Sequence, residues 1–288
     1  MRRSLLFIPS NNPGMLESSS LFGSDSVIFD LEDSVSVSEK DNSRNLLISF
    51  LNSKEKLNLE VVVRINASDT PFYYADLEAV VTPKIDTIML PKASVKTLSK
   101  LDKDLSKIEK EKQLVNKIKV IPIIELASSL IEASEIAAMP RVDGLLLGAE
   151  DLSSDLEVVR TEEGLEILYA RMVVITAAKA KKIDAIDTPF TNVFDNDKLK
   201  KDCEFVKRMG MNAKACIHPN QIEVVNEVFS PTQAEINWAT KVLMAKEEAE
   251  KKNQGVFSLD GKMVDKPVIL RAEKIILKAK KYKILWKD

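Results

Sequence analysis

Apolar residues in this chain fall in short, nearly continuous runs, each closed by a turn signal and followed by a longer stretch with helical spacing. The runs are Ser4 to Ile8, Ser26 to Asp30, Glu60 to Ile65, Thr87 to Leu90, Lys119 to Ile124, Gly144 to Leu147, Ile183 to Ile186 and Ala213 to Ile217. A strand-length run without polar alternation is buried on both faces, which implies a parallel sheet covered by helices. Eight such units close most economically into a (β/α)8 TIM barrel.

The stretches between the runs carry helix-end signals. Ser36 and Glu39 make an S-x-x-E capping box ahead of a helix over Glu39 to Leu51, and Pro13 stands where a first helical turn tolerates it. Leu98, Leu101, Leu105 and Ile108, extended by Lys112, form one stripe of a highly charged helix predicted between Leu98 and Lys117. Glu162 to Lys182 reads as a helix closed by Lys179, Lys181 and Lys182, cations that suit a helix C-terminus. Helices follow over Gln221 to Phe229 and from Ser230-Pro231 to about Lys251.

What remains exceeds the needs of a barrel. A loop from Gly255 to Gly261, the segment Lys262 to Asp265 and a basic amphipathic helix form a C-terminal helical extension. The predicted division is a TIM-barrel domain over residues 1–254 and an extension over 255–288. That extension either packs as a plain appendage or covers an active-site mouth, its own or a neighbouring subunit's.

Length and composition fit this picture and exclude others. A chain of 288 residues accommodates a barrel of about 250 residues plus a tail. Its 42 basic residues nearly balance 44 acidic ones, so neither nucleic acid nor an anionic membrane is expected as a partner. Arg2-Arg3 precedes only a short apolar run ended by Pro9, and no later run approaches the length of a membrane span, so no signal peptide or span is predicted. Cys203 and Cys216 cannot build a disulfide framework, which points to a reducing cytoplasm. With eight glycines, none placed as G-x-G-x-x-G or before Lys-Ser/Thr, the usual dinucleotide and P-loop signatures are missing. His218 is the one histidine, through which any Ser-His-Asp or Cys-His mechanism would have to run.

In a TIM barrel the chemistry gathers at the C-terminal ends of the strands. Here those ends carry Asp30, Glu32 and Asp33, then Arg64, Glu125, Glu150 and Asp151, and Asp187. Carboxylates converging on one rim repel one another unless protonated, paired or neutralised by a cation, and oxygen-only ligation favours Mg²⁺. Glu125 and Asp151, from adjacent strands, are the candidate metal pair. Each has an alternative in capping the next helix, and Asp151-Leu152-Ser153-Ser154 also reads as an Asx turn. Arg64 is placed either to fork onto a substrate carboxylate or to pair with Asp30 or Glu32. Lys92 is the Schiff-base candidate against a solvated lysine, His218 suits a turn, and both cysteines read as small apolar residues.

These segments resemble a known family. Arg3-Ser4-Leu5-Leu6-Phe7-Ile8-Pro9, Asn11 to Met15, Phe29-Asp30-Leu31-Glu32-Asp33-Ser34-Val35, Val63 to Asn66, Leu90-Pro91-Lys92, Glu125, Leu147 to Asp151, Ala185 to Thr188 and Gly261 to Pro267 run in order over nearly the whole chain. Together they resemble the beta subunits of citrate lyase, within the citrate-lyase-like and malyl-thioester lyase TIM-barrel family.

The resemblance implies retro-Claisen cleavage of a citryl thioester on acyl carrier protein to oxaloacetate and an acetyl thioester. It implies Mg²⁺, or Mn²⁺, on Glu125 and Asp151, and substrate contacts from Arg64 and Glu125. The catalytic set is Arg64, Asp265, Glu32 and Asp33. Asp265 is the candidate proton donor to the thioester enolate, from its own or a neighbouring subunit; Glu32 and Asp33 orient water or Arg64. A homotrimer with companion citrate lyase subunits is the implied assembly. Malyl- or citramalyl-coenzyme A lyase activity is the nearest alternative, and a catalytically silent barrel serving assembly or regulation is one of another class. Cys216-Ile217-His218-Pro219 departs toward the coenzyme A ester lyases, whereas Asn11 to Met15 lacks the basic turn those lyases tend to carry.

Overall fold

The computed structural model describes residues 1–251 and 256–284. The chain alternates strand and helix throughout its first part. In order these elements are β1 (Ser4–Pro9), α1 (Pro13–Ser18), β2 (Ser26–Asp30), α2 (Lys40–Ser53), β3 (Glu60–Arg64), α3 (Tyr73–Val80), β4 (Thr87–Leu90), α4 (Val95–Glu111), β5 (Lys119–Ile124), α5 (Ala127–Ile131) and α6 (Ala133–Ile136). Then come β6 (Gly144–Leu147), α7 (Ala149–Asp155), α8 (Leu168–Ala180), β7 (Asp184–Asp187), α9 (Asn196–Met209), β8 (Ala213–Cys216) and α10 (Gln221–Phe229). All eight apolar runs become strands, and they close into a parallel barrel in sequence order, with β8 returning to β1.

Alternation along each strand decides which side chains fill the barrel. Leu5, Ile28, Val62, Met89, Ile121, Ile123, Leu146, Ile186, Ala213 and Ala215 form one buried cluster, with Phe7 packed against it. Two residues before Ile28 and Val62, the same parity brings in Ser26 and Glu60; Glu60 receives Arg2 and a bond from the Ser26 hydroxyl. Arg2 bonds both oxygens of Glu60 at 2.5 and 2.6 Å and reaches Asp143 and Asp184 at 2.8 Å each. Two residues beyond the apolar layer, it brings in Asp30 and Arg64 at the opposite end.

The same parity overturns one expectation. Asp187 does not join the rim carboxylates: Ile186 points inward, so Asp187 faces the helix layer. There it is fully buried, 2.5 Å from Lys214 Nζ and 3.0 Å from Arg171 Nε, with Asp202 closing the set. Local differences are smaller. A 3₁₀ turn over Val37–Glu39 replaces the start of the helix expected at Glu39, and Ser36 makes no backbone cap. A full capping box forms instead at Ser94 and Thr97, ahead of α4. Leu98, Leu101, Leu105 and Ile108 form the buried stripe of α4, while Lys112 ends the helix and donates to the Val81 carbonyl at 3.1 Å.

The chain divides into two compact units, residues 1–226 and 227–288, with the division inside α10. The second unit contains α11 (Gln233–Lys251), β9 (Phe257–Leu259), β10 (Lys262–Val264) and α12 (Lys266–Lys281). The sequence suggests a boundary at 254, but α11 shares its core with the tail: Ile236, Ala239 and Val242 pack with Val264, Ala272, Ile276 and Ala279. The segment expected as a loop is a hairpin whose turn residues, Asp260 and Gly261, both have positive φ, the geometry a two-residue turn requires. Gly255, at the start of that expected loop, lies outside the described residues. Among the described residues no helix is long and apolar enough to cross a membrane. Cys203 and Cys216 are buried free thiols.

Candidate active site

The rim is organised around an arginine. Arg64 ends β3 beside Asp30 at the end of β2, a pairing fixed by strand register. Its Nε and Nη2 donate to the two Asp30 oxygens, both at 2.7 Å. Its Nη1 lies 3.0 Å from Glu32 Oε2 and 3.3 Å from Asp33 Oδ2, and the guanidinium sits over the Phe7 ring at 5.0 Å. Burial works against the charge of Arg64, yet the surrounding carboxylates hold its pKa above the ordinary arginine value. Burial likewise works to raise Asp30, but Arg64, Ser34 and the amide of Glu32 outweigh it and hold Asp30 below the usual carboxylate range.

Glu32 and Glu125 are in the opposite condition. Burial pushes Glu32 up to about 8; Arg64 opposes this, while Asp33, Glu125 and Asp30 reinforce it. Glu125, just past β5 and 3% exposed, is pushed up to about 7, again chiefly by burial, with Asp151 adding to the rise. Its Oε1 accepts a 2.5 Å bond from the amide of Lys92, a residue with a φ of 48°. The Lys92 side chain is exposed, so its amide rather than its amine is what reaches the site.

Gly148, between β6 and α7, makes room for this carboxyl. A Cβ there would lie 2.6 Å from Glu125 Cβ and 2.8 Å from its Oε2. The strand end can therefore pass Glu125 only as a bare Cα. Asp151 follows in the exposed first turn of α7.

The structure thus brings Glu32, Asp33, Arg64, Glu125 and Asp151 into one electrostatic neighbourhood. Asp265 belongs to the second unit, where it caps α12 through a 3.4 Å bond from Val268 N. His218 accepts from Asn220 N at 3.2 Å beside the Phe194 ring, a turn histidine as its sequence suggests.

The sequence reading missed the residues behind the rim. Lys40 and Arg44 lie four apart on the buried face of α2, and Asp76 of α3 accepts from Arg44. The available signal was that spacing: two cations in the stripe that also contains Leu47 and Leu51.

The donor set fits a hard divalent cation. Glu125 is a carboxyl that burial, reinforced by Asp151, makes costly to ionise, and a cation would relieve that cost. No group of three or more metal-ligating side chains occurs among the described residues. Mg²⁺ is commonly held by one or two carboxylates with water or substrate in its other positions.

Fold and rim define a TIM-barrel protein whose C-terminal mouth carries an arginine among carboxylates. Residues 3–219 match the HpcH/HpaI aldolase/citrate lyase family, and the chain belongs to it. It is 42% identical to the citrate lyase subunit beta of Leuconostoc mesenteroides subsp. cremoris over 279 residues, covering 96% of this chain and 92% of that one. It is also 35% identical to a (3S)-malyl-CoA thioesterase of Cereibacter sphaeroides over 277 residues, covering 96% and 94%. Among solved structures, the protein CitE from Mycobacterium tuberculosis in complex with magnesium, acetoacetate and coenzyme A superposes with a TM-score of 0.76 at 31% identity, covering 96% of this chain and 97% of that one. A citrate lyase beta subunit from the same organism, complexed with oxaloacetate and magnesium, gives 0.67 at 30% identity over 80% and 97%.

Proposed function

We propose that this chain is a Mg²⁺-dependent carbon–carbon lyase of the citrate lyase beta subunit type, cleaving a citryl thioester to oxaloacetate and an acetyl thioester. The observation that carries the reading is the Arg64 rim: a guanidinium held at the barrel mouth beside a buried carboxyl, Glu125, that a cation would ionise. Glu125 and Asp151 would hold the metal, whose chemistry is to polarise the hydroxyl and carboxylate of the part that becomes oxaloacetate. Arg64 Nη1 faces the carboxylates of Glu32 and Asp33, and a substrate carboxylate would compete for it. The same charge favours the alkoxide that develops as the bond breaks. Glu32 and Asp33 orient that guanidinium edge and water. Cleavage leaves a thioester enolate that needs a proton, and Asp265 is its donor, supplied by a neighbouring subunit of a homotrimer.

Acyl carrier protein is the proposed thioester carrier, with companion lyase subunits as partners in the cytoplasm. A second reading, cleavage of malyl- or citramalyl-coenzyme A, is favoured by the likeness to the (3S)-malyl-CoA thioesterase and to CitE with bound coenzyme A. Incubating purified protein with citryl, malyl and citramalyl thioesters on each carrier, with Mg²⁺ or chelator, decides between them. Metal-dependent release of oxaloacetate from the citryl carrier thioester is expected; no cleavage of any thioester would overturn the lyase reading.

A further inference from the structure

The loop bearing Glu32 and Asp33 is gripped on its helix side by charged residues that no chemical step uses. Lys40, the first residue of α2, is buried and donates from Nζ to the carbonyl oxygens of Leu31 at 2.8 Å and Glu32 at 2.7 Å. The Leu31 carbonyl also accepts from Asn66 Nδ2 at 3.0 Å. Asn66, two residues past Arg64, is anchored in turn on Asp76 Oδ2 through its side chain at 2.6 Å and its amide at 2.9 Å. Asp76 is fully buried, and its other oxygen takes Arg44 Nε at 2.8 Å. The backbones that follow β2 and β3, which present Glu32 and Arg64, are thereby tied to one point.

For packing alone this arrangement is a poor choice. The direct acceptors of this ammonium are two neutral carbonyls, and the Asp30, Glu32, Asp76 and Asp33 carboxylates offset its loss of water only in part, since burial still holds it below the ordinary lysine value. What the cation supplies is direction: two donors from one nitrogen fix the peptides on either side of Glu32, and so the origin of its side chain. We infer that Lys40 is a positioning residue for the reaction, holding the two peptides that flank Glu32 so that the Glu32 carboxyl meets Arg64 Nη1. The inference rests on the lyase reading and deepens it. The hydrogen bonds of Lys40 go to the loop backbone and not to the rim side chains, so the positioning passes through Glu32.

A double-mutant cycle tests this. Lys40→Met, Glu32→Gln and the combined variant are assayed with Mg²⁺ and the best thioester substrate. Hydrogen exchange of residues 31–35 is followed in metal-free protein. Lys40→Met is expected to lower kcat about tenfold or more with KM changed less than about threefold, and to speed exchange in that loop ahead of the barrel strands. In the Glu32→Gln background the same substitution should cost less than about twofold, because the group it positions is already disabled. If Glu32→Gln is slow and Lys40→Met multiplies its defect in full, the inference fails while the lyase reading stands. If Glu32→Gln cleaves at the wild-type rate, the role given to Glu32 fails and the inference with it. Should Lys40→Met not fold, Lys40→Arg keeps the charge but cannot place two donors from one terminal amine. It is expected to show the same kcat loss and the same cancellation in the Glu32→Gln background, and a fully additive loss overturns the inference there too.

Discussion

Arg64 grips Asp30 in parallel, Nε and Nη2 each 2.7 Å from a different carboxylate oxygen, which leaves Nη1 as the edge turned to Glu32 and Asp33. The arginine is therefore both a structural tie between β2 and β3 and the cation of the rim. A lysine reproduces the charge but not two jobs along two directions. Charge-assisted bonds are worth about 1.5–3 kcal/mol, so Arg64→Lys should lose roughly tenfold to a hundredfold in kcat/KM. A variant within about twofold of wild type in steady-state assays would confine Arg64 to the structural tie.

Removing either proposed metal ligand should stop the reaction without unfolding the barrel. Glu125→Gln and Asp151→Asn are expected to be inactive at any Mg²⁺ concentration, with thermal unfolding near that of wild type, since neither side chain joins the apolar core. Excess chelator should silence the wild-type enzyme, and Mg²⁺ or Mn²⁺ should restore it. Full turnover in chelator would remove the metal from the mechanism.

Asp265 caps a helix of the second unit, a place from which a symmetric oligomer can lend it to a neighbour. Glu125→Gln and Asp265→Asn proteins, each inactive alone, are mixed under conditions that exchange subunits. If a site takes the two residues from different chains, an equal random mixture should recover about one quarter of wild-type activity. Verified exchange with no recovery would place Asp265 in the site of its own chain.

The plug at the other end of the barrel makes a stability prediction. Burial works to raise the Glu60 carboxyl, but Arg2, Ser26 and Thr87 outweigh it and hold it down at about 2. A carboxyl held below its ordinary value stabilises the fold fully above that value, near 4.5, and the contribution is lost as pH falls toward 2. A fall from 4.5 to about 2 corresponds to roughly 3 kcal/mol. Urea unfolding of Glu60→Gln should show a lower midpoint at pH 7 and a flatter decline between pH 5 and about 2 than wild type. Parallel pH curves for the two proteins would deny the plug this role.

How far the molecule can be read from its sequence depends on which force acts at each position. The barrel was legible because strands buried on both faces must be apolar throughout, and Leu5 to Ile8 or Val61 to Val63 have few alternatives. Rim residues follow from their place at the strand ends, and strand parity confirms Asp30 and Arg64, two residues beyond Ile28 and Val62. Asp187 was misplaced because β7 has four residues, and one step decides between the rim and the Lys214 pocket. Lys40 was hidden for another reason: its partners are backbone carbonyls of a loop, which no side-chain pattern records. The hairpin signal at Asp260-Gly261 stood in the sequence but was read as loop, and α11 was assigned to the barrel although its core partners lie beyond it.

Gly148 gives the site an unusual relation to the genetic code. At most positions a coding change exchanges one side chain for another, and some exchanges shrink it. From glycine every missense change adds at least a Cβ, and here that atom would lie 2.6 Å from the Cβ of Glu125. Gly14, whose added Cβ would meet nothing nearer than 3.5 Å, carries no such constraint. In a saturation library selected for turnover, codon 148 should therefore return only synonymous survivors, while codon 14 drifts freely through alanine and serine.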